Sequence, residues 1–149
     1  MRLLALFFFF SFSLFAQELP PITNFDPGIY NAGNQNWMMT QADNNHIYIA
    51  NNLGLLSFNG EHWNLHKVPN ASAVRSVLAK DKTIYTGSYM DFGYWDTDEK
   101  GELNYTSLKN LSDEKILDGE QFWHIEALEE YIIFQSLRRL YSYNRETEE

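Results

Sequence analysis

Short apolar and aromatic runs alternate along the chain with polar clusters rich in Asn, Asp and Gly, and the alternation repeats three times. One copy runs from Trp37 through Ile47-Tyr48-Ile49-Ala50 and Leu55-Leu56-Ser57-Phe58-Asn59 to Trp63. A second runs from Val74 through Ile84-Tyr85-Thr86-Gly87 and Phe92-Gly93-Tyr94-Trp95-Asp96 to Leu108. The third runs from Phe122 through Ile132-Ile133-Phe134-Gln135 to Leu140-Tyr141-Ser142-Tyr143-Asn144. Phe58, Trp95 and Tyr143 take equivalent places, separated by 37 and 48 residues, and polar insertions at 96–102 and 109–120 account for the longer gap. A period of about 40 residues marks a repeat architecture built from one supersecondary unit.

Within each copy the runs are broken by turn chemistry: Asp43-Asn44-Asn45, Asn51-Asn52-Leu53-Gly54 and Asn59-Gly60, then Asp81-Lys82, residues 96–101, and Glu129-Glu130. Runs of this length between such turns read as hairpin-linked strands, four to a unit. Apolar residues fall on both faces, with Ile47 and Ile49 on one side and Tyr48 and Ala50 on the other, as in a sheet covered twice. The pattern therefore predicts an all-β chain. It forms a β-propeller fragment of about three four-stranded antiparallel blades, at 37–70, 74–108 and 122–149, the last lacking its fourth strand. Eleven strands are expected after a lead-in at 17–36; 112–117 reads as inter-blade loop, the alternative being a short helical turn, for which Ser112-Asp113-Glu114 offers a start and Gly119 a stop.

Residues 1–16 carry one cation, Arg2, followed by an apolar run with four consecutive phenylalanines, Phe7 to Phe10. This reads as a secretory signal peptide cut after Ala16, the alternative being an uncleaved N-terminal anchor. Export to the periplasmic side of the inner membrane is the expected location. The whole chain has a net charge of −9, and removing Arg2 with the signal makes it −10, a surface that repels phosphate backbones. Direct nucleic-acid binding is not expected of this segment. The absence of cysteine excludes disulfides, thiol catalysis and zinc–thiolate sites.

Candidate chemistry is sparse. His62 and His66 lie about 13 Å apart if extended, too far to share one ion, and with His46 and His124 they are expected to be solvent-facing strand residues. Residues 96–101 open like a calcium loop, but Lys100 takes a ligand position and Ser107 stands where the closing Glu belongs, so an acidic hairpin is expected. No phosphate loop, nucleophile elbow or HExxH occurs. Paired acids for glycan cleavage would have to come from Glu61, Asp91, Asp96, Asp118 and Glu126, whose spacing does not pair them; Asp91 reads as a turn residue. Trp37, Trp63, Trp95 and Trp123 are core aromatics first and sugar-stacking platforms second. The Asn-rich loops at 31–36 and 51–52 are turn formers that also offer hydrogen bonds. Three sequons begin at Asn70, Asn104 and Asn110. No catalytic residue, metal site or cofactor is assigned, and no ligand-binding residue is fixed.

In combination, Tyr30-Asn31-Ala32-Gly33-Asn34-Gln35-Asn36-Trp37, the run from Asn51 to Gly60 with Trp63, Val74-Arg75-Ser76 and Phe92-Gly93-Tyr94 resemble the periplasmic sensor propellers of bacterial two-component-type regulators. The resemblance extends to Tyr143. It implies further blades, a β-sandwich with a triple-tyrosine motif, a membrane helix, and a histidine-kinase or LuxR-type output, none of which lies in this segment. The membrane would be met only through those missing regions. The function implied is ligand sensing by a transmembrane signalling or transcription regulator, the ligand being unknown and a glycan one candidate. An exported polysaccharide-cleaving propeller and a truncated structural interaction module are the alternatives. Where the family has Gly between second and third strands, the third unit has Ser136-Leu137-Arg138-Arg139, which questions its hairpin. Three blades leave open edges, so self-association or further blades are expected.

Overall fold

The computed structural model describes residues 19–111 and 119–149. The signal peptide and the segment 112–117, read as a loop or a short helical turn, fall outside the described residues.

Three antiparallel sheets follow one another along the chain. The first contains β1 (Asn36–Gln41), β2 (Ile47–Asn51), β3 (Gly54–Phe58) and β4 (Trp63–His66). The second contains β5 (Val74–Lys80), β6 (Thr83–Ser88), β7 (Phe92–Thr97) and β8 (Leu103–Ser107). The third has three strands, β9 (Phe122–Leu128), β10 (Tyr131–Ser136) and β11 (Leu140–Asn144). Each sheet is a simple meander in chain order, and β5 lies between β1 and β9, so the first strands of the units pack side by side. This is the arrangement of consecutive propeller blades, unclosed, with the expected eleven strands among the described residues.

The register confirms the repeat. Phe58, Trp95 and Tyr143 pair with Ile47, Ile84 and Ile132, so the three hairpins between second and third strands have the same length. The third closes without glycine. Ser136 N–H donates to the Arg139 carbonyl (2.9 Å), and Ser136 Oγ accepts from the backbone N–H groups of Arg138 and Arg139 (3.2 and 3.0 Å). The second turn, Ser88-Tyr89-Met90-Asp91, lacks glycine as well, and there too a serine hydroxyl is bonded within the turn, Ser88 Oγ donating to the Asp91 carbonyl. In the first hairpin Gly54 is required: its φ is +144°, and a Cβ there would sit 2.3 Å from the His66 carbonyl oxygen.

Two apolar layers join the sheets. Tyr48, Ala50 and Leu55 of the first meet Val74, Val77, Ile84 and Trp95 of the second. On the other side of the second sheet, Tyr85 and Phe92 meet Phe122, Ile125, Ile132 and Phe134, with the Phe92 ring 4.6 Å from Phe122 and 4.8 Å from Phe134. Adjacent residues of one strand thereby serve different layers: Ile84 faces back to the first sheet and Tyr85 forward to the third. The outer face of the first sheet is covered by the lead-in. A single helical turn, Pro27–Tyr30, is capped by the Asp26 carboxylate, which accepts from Gly28 N (2.8 Å) and Ile29 N (3.2 Å). Tyr30 and Phe25 close on the stacked Phe58–Trp63 pair.

At Gly87 the second and third sheets approach closely, since a Cβ there would lie 2.6 Å from Phe122 Cβ of the third sheet, and 2.5 Å from Ser76 Oγ of its own. Gly87→Ala is expected to lower the unfolding free energy by about 2 kcal/mol in urea titration; an unchanged midpoint would contradict this close approach. A second expectation concerns alkaline pH. Burial raises the phenol pKa of Tyr48, Tyr105 and Tyr143, and pushes that of Tyr85 up to about 12. The native phenols hold their protons where the unfolded chain, titrating near 10, releases them, so stability is unaffected below about pH 10 and declines from there toward about pH 12. Tyr85→Phe should flatten part of that decline in urea midpoints measured across the range.

Candidate functional site

Each sheet has a β-bulge at the same place. In the first, Asn36 pairs with Asn51 and Met38 with Ala50, leaving Trp37 as the extra residue. In the second, Val74 pairs with Ser88 and Ser76 with Gly87, leaving Arg75. In the third, Phe122 pairs with Ser136 and His124 with Gln135, leaving Trp123. A bulge re-aims one side chain out of the ladder's alternation. Because β1, β5 and β9 are neighbours, the three re-aimed side chains converge at one end of the sheets.

The Arg75 guanidinium lies over both indoles, 4.3 Å from the Trp37 ring and 5.2 Å from the Trp123 ring, while the indoles meet edge to face at 5.7 Å. Arg75 Nη1 donates to Asn52 Oδ1 (3.1 Å) and Nε to Gln121 Oε1 (3.0 Å). Asn52 Oδ1 also accepts from Trp37 Nε1 (2.8 Å), and Asn52 Nδ2 donates to Gln35 Oε1 (2.6 Å). The cation is thus held by neutral amides and aromatic faces, and among the described residues it has no carboxylate partner. Its partial burial pulls its pKa down from the usual value. Trp37 keeps 41% of its surface exposed. Two of the five guanidinium N–H donors are used, which leaves three for a ligand.

The next shell is built from the hairpin ends. Asn51 is fully buried with both ends of its amide engaged: Oδ1 accepts from Gly33 N and Leu53 N (both 2.9 Å), and Nδ2 donates to the Gly33 carbonyl and Asn36 Oδ1 (both 2.7 Å). It ties the Asn-rich lead-in to the β2–β3 turn and so fixes Gln35 and Asn36 beside Trp37. Across the second and third sheets, Met90 N–H donates to the Glu120 carbonyl (2.8 Å), and the Glu120 carboxylate accepts from Ser136 Oγ (2.6 Å).

The other candidates do not assemble. Asp91 is 2% exposed in the β6–β7 turn, where its carboxylate accepts from Ser107 Oγ (2.6 Å). The nearby Tyr105 hydroxyl falls short of hydrogen-bond geometry with it, and burial first, then the Asp91 charge, raise the Tyr105 pKa well beyond the ordinary phenol range. Glu126 stands exposed on β9, its carboxylate 3.6 Å from His124, and Glu61 is exposed in the β3–β4 turn beside His62. Asp96 accepts from Thr83 Oγ1 (2.8 Å) at the sheets' opposite end, and Asp118 falls outside the described residues. The loop at 96–101 is a hairpin closed by Asp98, whose carboxylate accepts from Lys100 N and Glu102 N; these backbone hydrogen bonds hold its pKa low.

The histidines differ from expectation in two ways. His62 and His46 are in turns, not strands, and His66 is half-buried, with Nε2 2.9 Å from Ser57 Oγ and its ring set against Trp95 at 6.1 Å. Desolvation lowers the His66 pKa. Among the described residues no three His, Asp or Glu side chains gather closely enough to hold an ion. Trp95 is core, donating Nε1 to Thr86 Oγ1 (2.9 Å), and Trp63 is taken up by the Phe58 stack. The sequon residues Asn70, Asn104 and Asn110 are exposed. Of the four tryptophans, then, only Trp37 and Trp123 share a site. The residue that sequence reasoning did not single out is Arg75. Matching Trp37 to Val74 and Phe122 hides it, whereas a shift of one residue puts Trp37, Arg75 and Trp123 in one column.

No protein family matches the chain, and no curated protein does. Two crystal structures share its fold. One is the extracellular domain of the putative one-component system BT4673 from B. thetaiotaomicron, with a TM-score of 0.59 and 17% identity over 80% of this chain. The other, of the extracellular domain of the putative hybrid two-component system BT4673 from the same organism, gives 0.60 and 16% over 80%. This chain spans 15% of the length of each. The three sheets therefore share the fold of part of those extracellular domains.

Proposed function

We propose that the chain is the extracytoplasmic ligand-sensing propeller portion of a bacterial transmembrane signalling or transcription regulator, acting by binding and not by catalysis. The observation that carries the reading is the convergence of three repeat-equivalent bulge residues on one site in a fold shared with extracellular domains of bacterial sensors. A core has no use for an exposed indole beside a cation without a counter-ion, whereas a binding surface does. Export by residues 1–16 supplies the compartment, and a periplasmic location on the inner-membrane side follows for the sensing part.

Signalling requires that binding favour one of two states of the whole receptor. The sheets suit this role because they are joined by close-packed apolar layers, which move as units and do not deform gradually. The third sheet presents Leu140, 70% exposed, and Leu128, 61% exposed, on the face turned away from the second. We assign that face to further blades or to a second copy of the chain.

The reading predicts that the coding sequence continues in frame beyond Glu149 into further blades, a membrane helix and a histidine-kinase or helix-turn-helix output, which sequencing the source genome checks directly. It also predicts that deleting the gene abolishes the induction of a defined set of transcripts when cells are offered their glycan. Transcript profiles identical in parent and deletion strains across a glycan panel would overturn it.

A further inference from the structure

The Trp37–Arg75–Trp123 cluster has a composition that selects among ligands. Resting on the sensing role proposed above, we infer that this cluster is a subsite for a saccharide ring bearing one carboxylate, with Arg75 taking the carboxylate, Trp37 the apolar ring face, and the amides of Gln35, Asn52 and Gln121 the hydroxyls.

Three observations lead there. Arg75 is held in place by neutral groups alone, so its positive charge is not spent inside the protein. In a chain with net charge −9, where acids outnumber basic residues 20 to 11, a guanidinium that forms no ion pair with any described carboxylate is an uncompensated site. Its Nη2 and the second hydrogen of Nη1 form a fork that fits a carboxylate with two parallel hydrogen bonds. The exposed indole beside it supplies a flat apolar surface of the kind the C–H face of a pyranose covers. Finally, the donors and acceptors around the indole are primary amides, which present both polarities to neutral hydroxyls.

The same charge argument sets the ligand's size in charges. A polyanion, nucleic acid included, meets a strongly acidic chain with a single local cation, and its affinity would depend on several neutralised charges. One carboxylate needs one guanidinium. The cluster is also already rigid, since stacking on two rings and two hydrogen bonds fix the fork before the ligand arrives, which removes part of the ordering cost.

The test compares cellobiouronate with cellobiose, which differ only in the carboxylate on one ring, by calorimetry and tryptophan fluorescence on the full-length protein. Cellobiouronate is expected to bind at least about tenfold more tightly, with an advantage that shrinks as salt is raised. Arg75→Met, shown folded by its thermal melt, should erase the difference between the two sugars, whereas Trp37→Ala should weaken both. If Arg75→Met does not fold, Arg75→Lys decides instead: it keeps the charge but loses the fork, so preference for the acid should fall but persist. Equal binding of the two sugars, no binding of either at about 10 mM by folded wild-type protein, or full preference for the acid in the folded Arg75 variant would each overturn the inference. Failure here leaves the transcript response of the deletion strain unaffected, and loss of that response with intact sugar discrimination would strike the sensing role alone.

Discussion

The structure depends on sheets that are apolar on both faces. A strand such as β6 cannot satisfy itself in one sandwich, because Ile84 and Tyr85 point opposite ways and each needs a cover. Burying such residues contributes about 1.5–3 kcal/mol per side chain, so a lone sheet of this composition would leave most of that gain unrealised. Stacking units side by side is the direct solution, and it explains why the lead-in folds back on the first sheet. Phe25 and Tyr30 cover the Phe58–Trp63 face, the face that looks away from the second sheet. The third sheet has the weaker second face. Its β9 exposes His124 and Glu126 where β5 of the second sheet has the buried Ser76 and the half-buried Leu78, and so tolerates water better.

The repeated hairpin shows how a single geometric demand is met by unrelated chemistry. At equivalent positions stand Asn51, Ser88 and Ser136, each buried and each engaged with its own turn. Asn51 bonds to Leu53 N and reaches the lead-in; Ser88 Oγ donates to the Asp91 carbonyl (2.8 Å); Ser136 Oγ accepts two backbone N–H groups. Leaving such buried groups unpaired would cost about 1–3 kcal/mol apiece. The turns therefore diverge in sequence while the register does not, and the divergence is what lets each turn carry different groups toward the bulges. Asn52 follows Asn51 directly and is delivered to Arg75 by that turn; Glu120 is held by Ser136, one residue before the Gln121 that bonds Arg75 from the other side.

Much of the architecture was legible because it rests on local patterns. Two-sided apolar runs between Asn, Asp and Gly clusters specify hairpins, and the recurrence of Phe58, Trp95 and Tyr143 specifies their equivalence. The third hairpin was harder to read, since Arg139 stands where the first has Gly54 and the turn is closed by Ser136, whose hydrogen bonds depend on geometry and not on composition. The site was scarcely legible. A bulge adds one residue without any distinctive residue type, so Trp37, Arg75 and Trp123 do not align by eye. Their contact also arises from three strands that are adjacent only in space. His66 was misjudged for a related reason: alternation alone does not reveal that Ser57 and the Trp95 ring close over it.

What distinguishes Arg75 from an ordinary cross-sheet clasp is the kind of partner it has. A clasp is most economically made with a carboxylate, as at the opposite end, where Arg145 Nη1 meets Asp81 at 2.7 Å while Nη2 donates to the Glu129 carbonyl (2.9 Å). There the third sheet is fastened to the second by an ion pair and the charge is cancelled. Arg75 links all three sheets with neutral acceptors, so the same mechanical task is done without cancelling the charge. Holding a partly buried cation this way is electrostatically costlier than pairing it, which is the direction of its depressed pKa. Acids are abundant in this chain, and a single Asp or Glu at Gln121 or Asn52 would have relieved that cost. The uncompensated guanidinium is therefore a feature of the site's chemistry that stability alone does not require.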